Sequence, residues 1–304
     1  MGKRILLNFA SLILMLVVLA ACTVRTSPTP TALHFPTPEP TIDLPPEHTP
    51  TEVVVYVALV NGEGIRQTSY AASMKQFLEA QEEFGNLLEP GETAQDKVMQ
   101  ALFNRVLLAQ AARSSGFILD PSMVDARFAQ ITEEAGGSET LASWLENNGY
   151  TIESFRIDLA LEIEAAWQRE QITSSVPETA EQVKARQVLF YDSFLASRAY
   201  NQLQAGVPFD TIVENNDPQK LGYLDWFPRG YLFYPQLEEV AFSLQPGEYS
   251  EVIETVIGYH ILQVLDVDPG RPLSTDARLT MQIRVLEDWL AQQRAQSQIE
   301  IYLP

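Results

Sequence analysis

The sequence predicts an α+β chain in which a helical domain is followed by a small α/β domain and then by one more helix. Three observations carry this reading. Apolar residues recur at helical spacing from about Thr68 to Trp167, as amphipathic helices require. From Val183 to Leu265 the texture changes to short β-rich runs, helices and turns in the order β-α-α-β-α-β-β, which describes a compact α/β unit. Beyond Pro269 and Pro272, a single amphipathic stretch runs from about Thr275 to Ala295.

The helical domain opens on one strand. "VVVYVALVNGEGI" (53–65) is rich in β-branched residues and breaks at Asn61-Gly62, a turn dipeptide. The first helix starts at Thr68, with Tyr70, Met74, Phe77 and Leu78 on one face. The next runs from about Ala94, with Val98, Leu102, Val106 and Ala109 in register, and stops at Gly116. Asp120 then serves as N-cap with Pro121 at the first helical position, and Val124, Phe128 and Ile131 turn inward. Ser138 opens a helix that stops at Gly149. Thr151 caps the last, with Phe155, Leu159, Ile163 and Trp167 inward. These stripes read as core.

In the α/β part "VKARQVLFY" reads as a strand and "SFLASRAYNQLQAG" as a helix closing at Gly206. "VPFDTIVENND" adds a further turn of helix. "GYLDWFPRG" follows, then the helix "PQLEEVAFSL", the turn "QPGE", and the strands "YSEVIE" and "GYHILQVL".

Composition excludes several function classes. With 20 basic against 40 acidic residues the formal charge is −20, so nucleic acid is not an expected partner, since phosphate binding needs clustered Lys and Arg. The single cysteine, Cys22, rules out an intramolecular disulfide and any multi-cysteine metal site. His34 and His48 lie in a Pro-rich stretch, which leaves His260 alone in a folded domain. No metal and no cofactor are expected.

At the N-terminus Lys3 and Arg4 precede an apolar run, Ile5–Leu19, that ends in "LAAC". The run is short for a bilayer span, and the whole resembles the bacterial lipobox. That resemblance implies a signal peptide at 1–21, cleavage before Cys22, and acylation of Cys22 as an anchor in a bacterial cell membrane. Residues 22–52, rich in Pro and Thr, favour extended polyproline II, and the 28 that follow Cys22 would reach roughly 85 Å.

The succession "VVVYVALVNGEGI", "LFNRVLLAQAARSSGFILDPSMVDARFAQI" and "GYTIESFRIDLALEIEAAWQREQI" resembles the N-terminal chaperone domain of SurA-like and PrsA-like foldases. The set "ARQVL…LQAGVPFD…GYLDWFPRG…LEEVAFSLQPGEYSEVIETVIGYHILQV" resembles a parvulin-type peptidyl-prolyl cis-trans isomerase domain. The resemblance implies a chaperone domain at 53–179 and a parvulin-like domain at 180–268, built on a four-stranded antiparallel sheet flanked by helices. Residues 269–304, with "LEDWLAQQRAQSQIEIY", would return to complete the chaperone domain. Leu279, Ile283, Leu286, Trp289 and Leu290 would form the buried face there, with Trp289 against the helices of 94–171.

The same resemblance assigns site residues. The parvulin pocket that grips proline would be walled by Leu224, by Leu232 or Phe233, and by Leu237, with Trp226 and Phe227 in the same run. His260 matches one of the two usual histidines, and Asp217 the Cys/Asp position near the substrate carbonyl. Gln187 stands where the other histidine is common, and Tyr223 and Asp225 where Asp and Gly are common. The materials suit the chemistry. Rotation about X-Pro crosses a barrier of about 18–20 kcal/mol set by amide resonance. It needs no nucleophile or metal, only a dry cavity that favours the twisted amide. His260 reads equally well as a buried imidazole that joins two strands by hydrogen bonds.

Two functions follow from the resemblance. One is a membrane-anchored extracytoplasmic foldase, an isomerase and chaperone for unfolded or newly exported polypeptides with X-Pro bonds. The other is a holdase whose parvulin domain has become catalytically weak or inactive. Gln187 favours the second; His260, Asp217 and the apolar wall favour the first.

Overall fold

The computed structural model describes residues 54–303, apart from Asn86, Pro218, Lys220 and Leu221. The signal segment, Cys22, the Pro/Thr-rich stretch, His34 and His48 lie outside the described residues. Two compact units divide the chain: the described residues up to Ala165 together with those from Ser297 on, and Ala166–Gln296. The sequence boundaries at 179/180 and 268/269 fall elsewhere.

The first unit holds the hairpin β1 (Tyr56–Val60) and β2 (Glu63–Arg66). Its turn residues Asn61 and Gly62 both take positive φ, 51° and 83°, the combination that a two-residue turn needs to match strand twist. A third strand, β7 (Ile299–Ile301), pairs antiparallel with β1, giving the order β2-β1-β7. The opening is therefore a three-stranded sheet rather than one strand.

Helices α1 (Gln67–Phe84), α2 (Ala94–Ser114), α3 (Pro121–Glu134) and α4 (Ser138–Asn147) follow, and then α5 (Ile152–Thr173), within which the unit boundary falls. Thr93 and Asp96 form a reciprocal capping box at the start of α2, which satisfies two otherwise orphaned amides. Asp120 caps α3 ahead of Pro121. Val57, Val60, Ile65, Phe77, Leu102 and Val106 are buried together under the sheet, while Val124, Ile131, Leu141, Leu145, Phe155 and Leu159 form a second core. Leu78, expected inward, is exposed; Ser69, Ala72, Gln76 and Phe77 form the buried face of α1.

In the second unit come β3 (Thr179–Phe190), α6 (Ser193–Gln204), α7 (Phe209–Asn216), β4 (Tyr223–Pro228), α8 (Pro235–Ala241), β5 (Ile253–Thr255), β6 (Gly258–Pro272) and α9 (Thr275–Gln296). All strand pairings are antiparallel in the order β4-β3-β6-β5, so the α+β class and the four-stranded antiparallel sheet flanked by helices stand. "YSEVIE" yields only the three-residue β5 and an isolated bridge from Tyr249 to Gln263.

Side chains alternate across β3 as the pleat demands. Val188 and Phe190 pack with α6 and α7, whereas Val183 and Ala185 pack with α8. Gln187 shares the α8 face by the same alternation. In α9 Leu290 is buried, Leu286 and Trp289 are half-buried, and Leu279 and Ile283 are exposed. Within this unit Arg284 donates to the Leu232 carbonyl at 2.9 Å. Among the described residues no helix is long and apolar enough to cross a membrane.

Candidate functional site

The α8 face of the second sheet brings the sequence-predicted polar residues together. His260 pairs with Leu189 of β3, two residues along from the Gln187↔Leu262 pair, so Gln187 and His260 are diagonal neighbours on one face. Their separation is 2.7 Å from Nδ1 to Gln187 Oε1. On the other side of the ring, Nε2 lies 2.8 Å from the Thr255 hydroxyl on β5. A neutral imidazole protonated on Nδ1 satisfies both contacts: Nδ1–H donates to the amide oxygen, and Nε2 accepts from the hydroxyl. His260 is 1% exposed, and burial holds its pKa below the ordinary imidazole value, because a dry site disfavours the cation.

Asp217 sits at the C-terminal end of α7, half-buried, and its Oδ2 accepts the Gly222 amide at 2.8 Å. The Gly222 carbonyl in turn accepts from the Gln187 amide at 2.8 Å. A Cβ at Gly222 would lie 2.0 Å from the Gln187 carbonyl oxygen, so only glycine lets the loop approach β3 this closely. One hydrogen-bonded path therefore links Asp217 through Gly222 to the Gln187 backbone.

The apolar residues divide. Leu237 (3% exposed) and Phe227 (0%) are closed into the core formed with Val183, Ala185, Leu262 and Val264. Leu224 and Leu232 are half-buried at the margin of that core. Phe233 is 82% exposed and stands edge-on to Tyr234 with ring centroids 5.0 Å apart. Trp226 alternates away from Phe227 to the opposite face of the sheet, where the Arg271 guanidinium lies 4.3 Å over its ring. Strand period thus removes Trp226 from the His260 face. Asp225 takes a φ of 52° at an irregularity in the β3–β4 register. This is a left-handed conformation that glycine adopts freely and Asp tolerates better than most residues.

Several residues at this face were not singled out from the sequence. Thr255 completes the imidazole's bonding. The Tyr234 ring lies 6.3 Å from that of His260. Glu238 on α8 accepts the amides of Gly230, Tyr231 and Leu232 at 2.7, 3.0 and 3.2 Å. With Arg284 on the Leu232 carbonyl, Glu238 fixes the loop that presents Phe233 and Tyr234. No local pattern marks Thr255, on a three-residue strand, or Glu238 on α8. No group of three or more His, Cys, Asp or Glu among the described residues could hold a metal ion.

Comparison with known proteins fits this geometry. The description "PPIC-type PPIASE domain" matches residues 172–266, and "SurA-like N-terminal domain" matches residues 47–169. The foldase protein PrsA of Caldanaerobacter subterraneus subsp. tengcongensis is 36% identical over 95 residues, covering 28% of this chain and 29% of that protein. The chaperone SurA of Nitrosococcus oceani is 31% identical over 144 residues, 40% of this chain and 34% of that one. The chain thus spans about a third of the length of these two relatives. A crystal structure of the peptidylprolyl isomerase PrsA from Bacillus cereus aligns over 80% of this chain and 86% of its own, at 18% identity and a TM-score of 0.44. Joining a SurA-like N-terminal domain to a PPIC-type domain, the chain belongs to the SurA/PrsA-like proteins with a parvulin-type domain.

Proposed function

We propose that the chain is a lipid-anchored extracytoplasmic foldase that holds unfolded client polypeptides and isomerises their X-Pro bonds on the His260 face of the second unit. One observation carries the reading. The Gln187–His260–Thr255 chain of hydrogen bonds spans three strands without the second histidine, so the face keeps its bonding although Gln187 cannot titrate near neutral pH. In this reading Leu224, Leu232, Phe233 and Tyr234 grip the pyrrolidine, while Leu237 and Phe227 support the wall from within. Asp217 orients the loop beside the substrate carbonyl. Two names support the assignment: the matched PPIC-type domain, and relatives called foldase and chaperone.

The test pairs two assays on one preparation of the full chain, an NMR-exchange or protease-coupled isomerase assay on X-Pro peptides and an aggregation assay on an unfolded client. We expect weak isomerisation in the native protein and equal or higher rates in Gln187→His. Gln187→Leu removes the acceptor of the buried imidazole and should lower the rate. No rate above buffer in native protein or Gln187→His, with aggregation still suppressed, would establish instead the holdase reading. That alternative is favoured by the commitment of both His260 nitrogens, and of Asp217 Oδ2, to internal bonds.

The anchor is a separate part of the proposal and rests on "LAAC" behind a basic n-region. Cys22→Ser is expected to abolish acylation, read as loss of the lipid mass on the mature N-terminus and release from the membrane fraction. A Cys22→Ser protein that still carries acyl chains would refute it.

A further inference from the structure

The first sheet leaves one strand edge open onto a cavity. β2 ends the order β2-β1-β7, and all four of its residues, Glu63–Arg66, line a cavity of about 220 Å³ whose other walls come chiefly from α2 and α5. The Asn61-Gly62 turn makes Val60 and Glu63 the first hydrogen-bonded pair of the hairpin. Gly64, opposite Leu59, therefore turns its N–H and C=O away from β1 by the antiparallel alternation. Neither group has a partner among the described residues. A Cβ at Gly64 would clash with the Tyr56 ring, so packing requires glycine there and no side chain shields those groups. Sheet edges are commonly blunted by Lys, Pro or a covering element. β2 carries neither residue, and the cavity lies between it and α5.

The walls define what fits. Leu102 and Val106 from α2 and Leu161 from α5 supply apolar surface. Glu164 on α5 also lines the cavity and is 8% exposed. Its contact with Arg113 Nε is 3.6 Å, too long for a hydrogen bond, whereas that guanidinium donates to Glu63 at 2.6 Å and to the Ala109 carbonyl at 3.3 Å. No hydrogen bond reaches the Glu164 carboxylate among the described residues. Burial pushes its pKa above the ordinary carboxylate value, as expected of a carboxylate removed from water. With Glu63 and Glu164 sharing one guanidinium, this end of the cavity carries an excess negative charge.

We infer that this cavity binds an extended segment of a client polypeptide as a fourth strand at the β2 edge, with an apolar side chain against Leu102, Val106 and Leu161 and a Lys or Arg at Glu164. Main-chain bonds to Gly64 supply affinity and the alternate side chains supply selection. The site belongs to the first unit, needs no proline, and rests on the reading that the chain holds unfolded polypeptides. The test measures binding of the full chain, by anisotropy, to fluorescein-labelled Val-Lys-Val-Thr-Val, to the same peptide with Glu in place of Lys, and to a copy N-methylated on alternate amides. The lysine peptide should bind about tenfold tighter than the glutamate peptide, the scale of one charge-assisted hydrogen bond, and N-methylation should weaken it by a similar factor. The Gly64 amide should gain protection from hydrogen exchange when the lysine peptide binds. Glu164→Gln, which keeps the side chain's shape, should bring the lysine and glutamate peptides within about twofold. Binding indifferent to N-methylation, no new protection at Gly64, or a lysine preference that survives Glu164→Gln would overturn the site. Failure of every peptide to bind, in a preparation that still suppresses client aggregation, would overturn the site and leave the foldase reading intact. Loss of aggregation suppression as well would refute the holding reading on which the site rests.

Discussion

Replacing His260 with alanine is expected to destabilise the second unit by about 3–5 kcal/mol, as for a large-to-small core substitution, with part of the cost coming from the orphaned Gln187 amide oxygen and Thr255 hydroxyl. The ring is 1% exposed and bridges β3 and β5 through two short hydrogen bonds. Against a typical stability of about 5–15 kcal/mol, this is a loss that thermal melts resolve. The loss also depends on pH. Burial lowers the folded-state pKa of His260 below its ordinary value of 6.5, so the unfolded chain takes up a proton at a higher pH than the folded one. The contribution of the neutral imidazole is complete above pH 6.5 and is lost as pH falls through the lower, folded value. The stability gap between native protein and His260→Ala should therefore narrow from pH 7.5 to pH 5. A gap that stays constant or widens toward acid would show that the imidazole is not held neutral. His260→Gln, which keeps one hydrogen bond and no titration, should recover part of the stability and none of the pH dependence.

The legible parts of the sequence were those with local signals. Helix caps at Asp120 and the Asn61-Gly62 turn carry their chemistry within a few residues, and their elements fall within a residue or two of the expected bounds. His260 and Gln187 were found because a resemblance placed them, and the pleat then explains why they meet. Trp226 could have been separated from Phe227 by strand period alone. Three features had no local signal. β5 is three residues long and short strands carry little pattern, so Thr255 went unnoticed. The loop at 230–232 is set by a carboxylate on α8 rather than by its own residues, so Leu232 and Phe233 stayed interchangeable. The third strand of the first sheet comes from the far end of the chain.

That strand supports the second large expected effect. Deleting residues 297–304 should lower the stability of the first unit by about 3–5 kcal/mol, from the loss of two partly buried apolar side chains and of several backbone bonds. β7 aligns Ile299, Glu300 and Ile301 with Val60, Leu59 and Ala58, and Ile299 and Leu303 pack on the core that includes Val57, Val60 and Leu102. Outside the ladder, the Asn61 amide donates to the Gln298 carbonyl at 2.8 Å and the Tyr302 amide to the Val57 carbonyl at 2.8 Å. Asn61 Oδ1 accepts the Gln298 amide at 2.9 Å. Without β7, β1 becomes a sheet edge with unpaired backbone groups, and Ala58 and Val60, both 0% exposed, lose their outer cover. For a unit of this size the loss corresponds to a fall of about 12–20 °C in its melting temperature. Hydrogen exchange gives the sharper reading. Protection at the Asn61 amide should collapse, while amides of the second sheet, such as those of Val188 and Ile261, keep theirs because that unit ends at Gln296. Unchanged protection at Asn61 in the truncated chain would show that the first unit does not depend on its C-terminal strand.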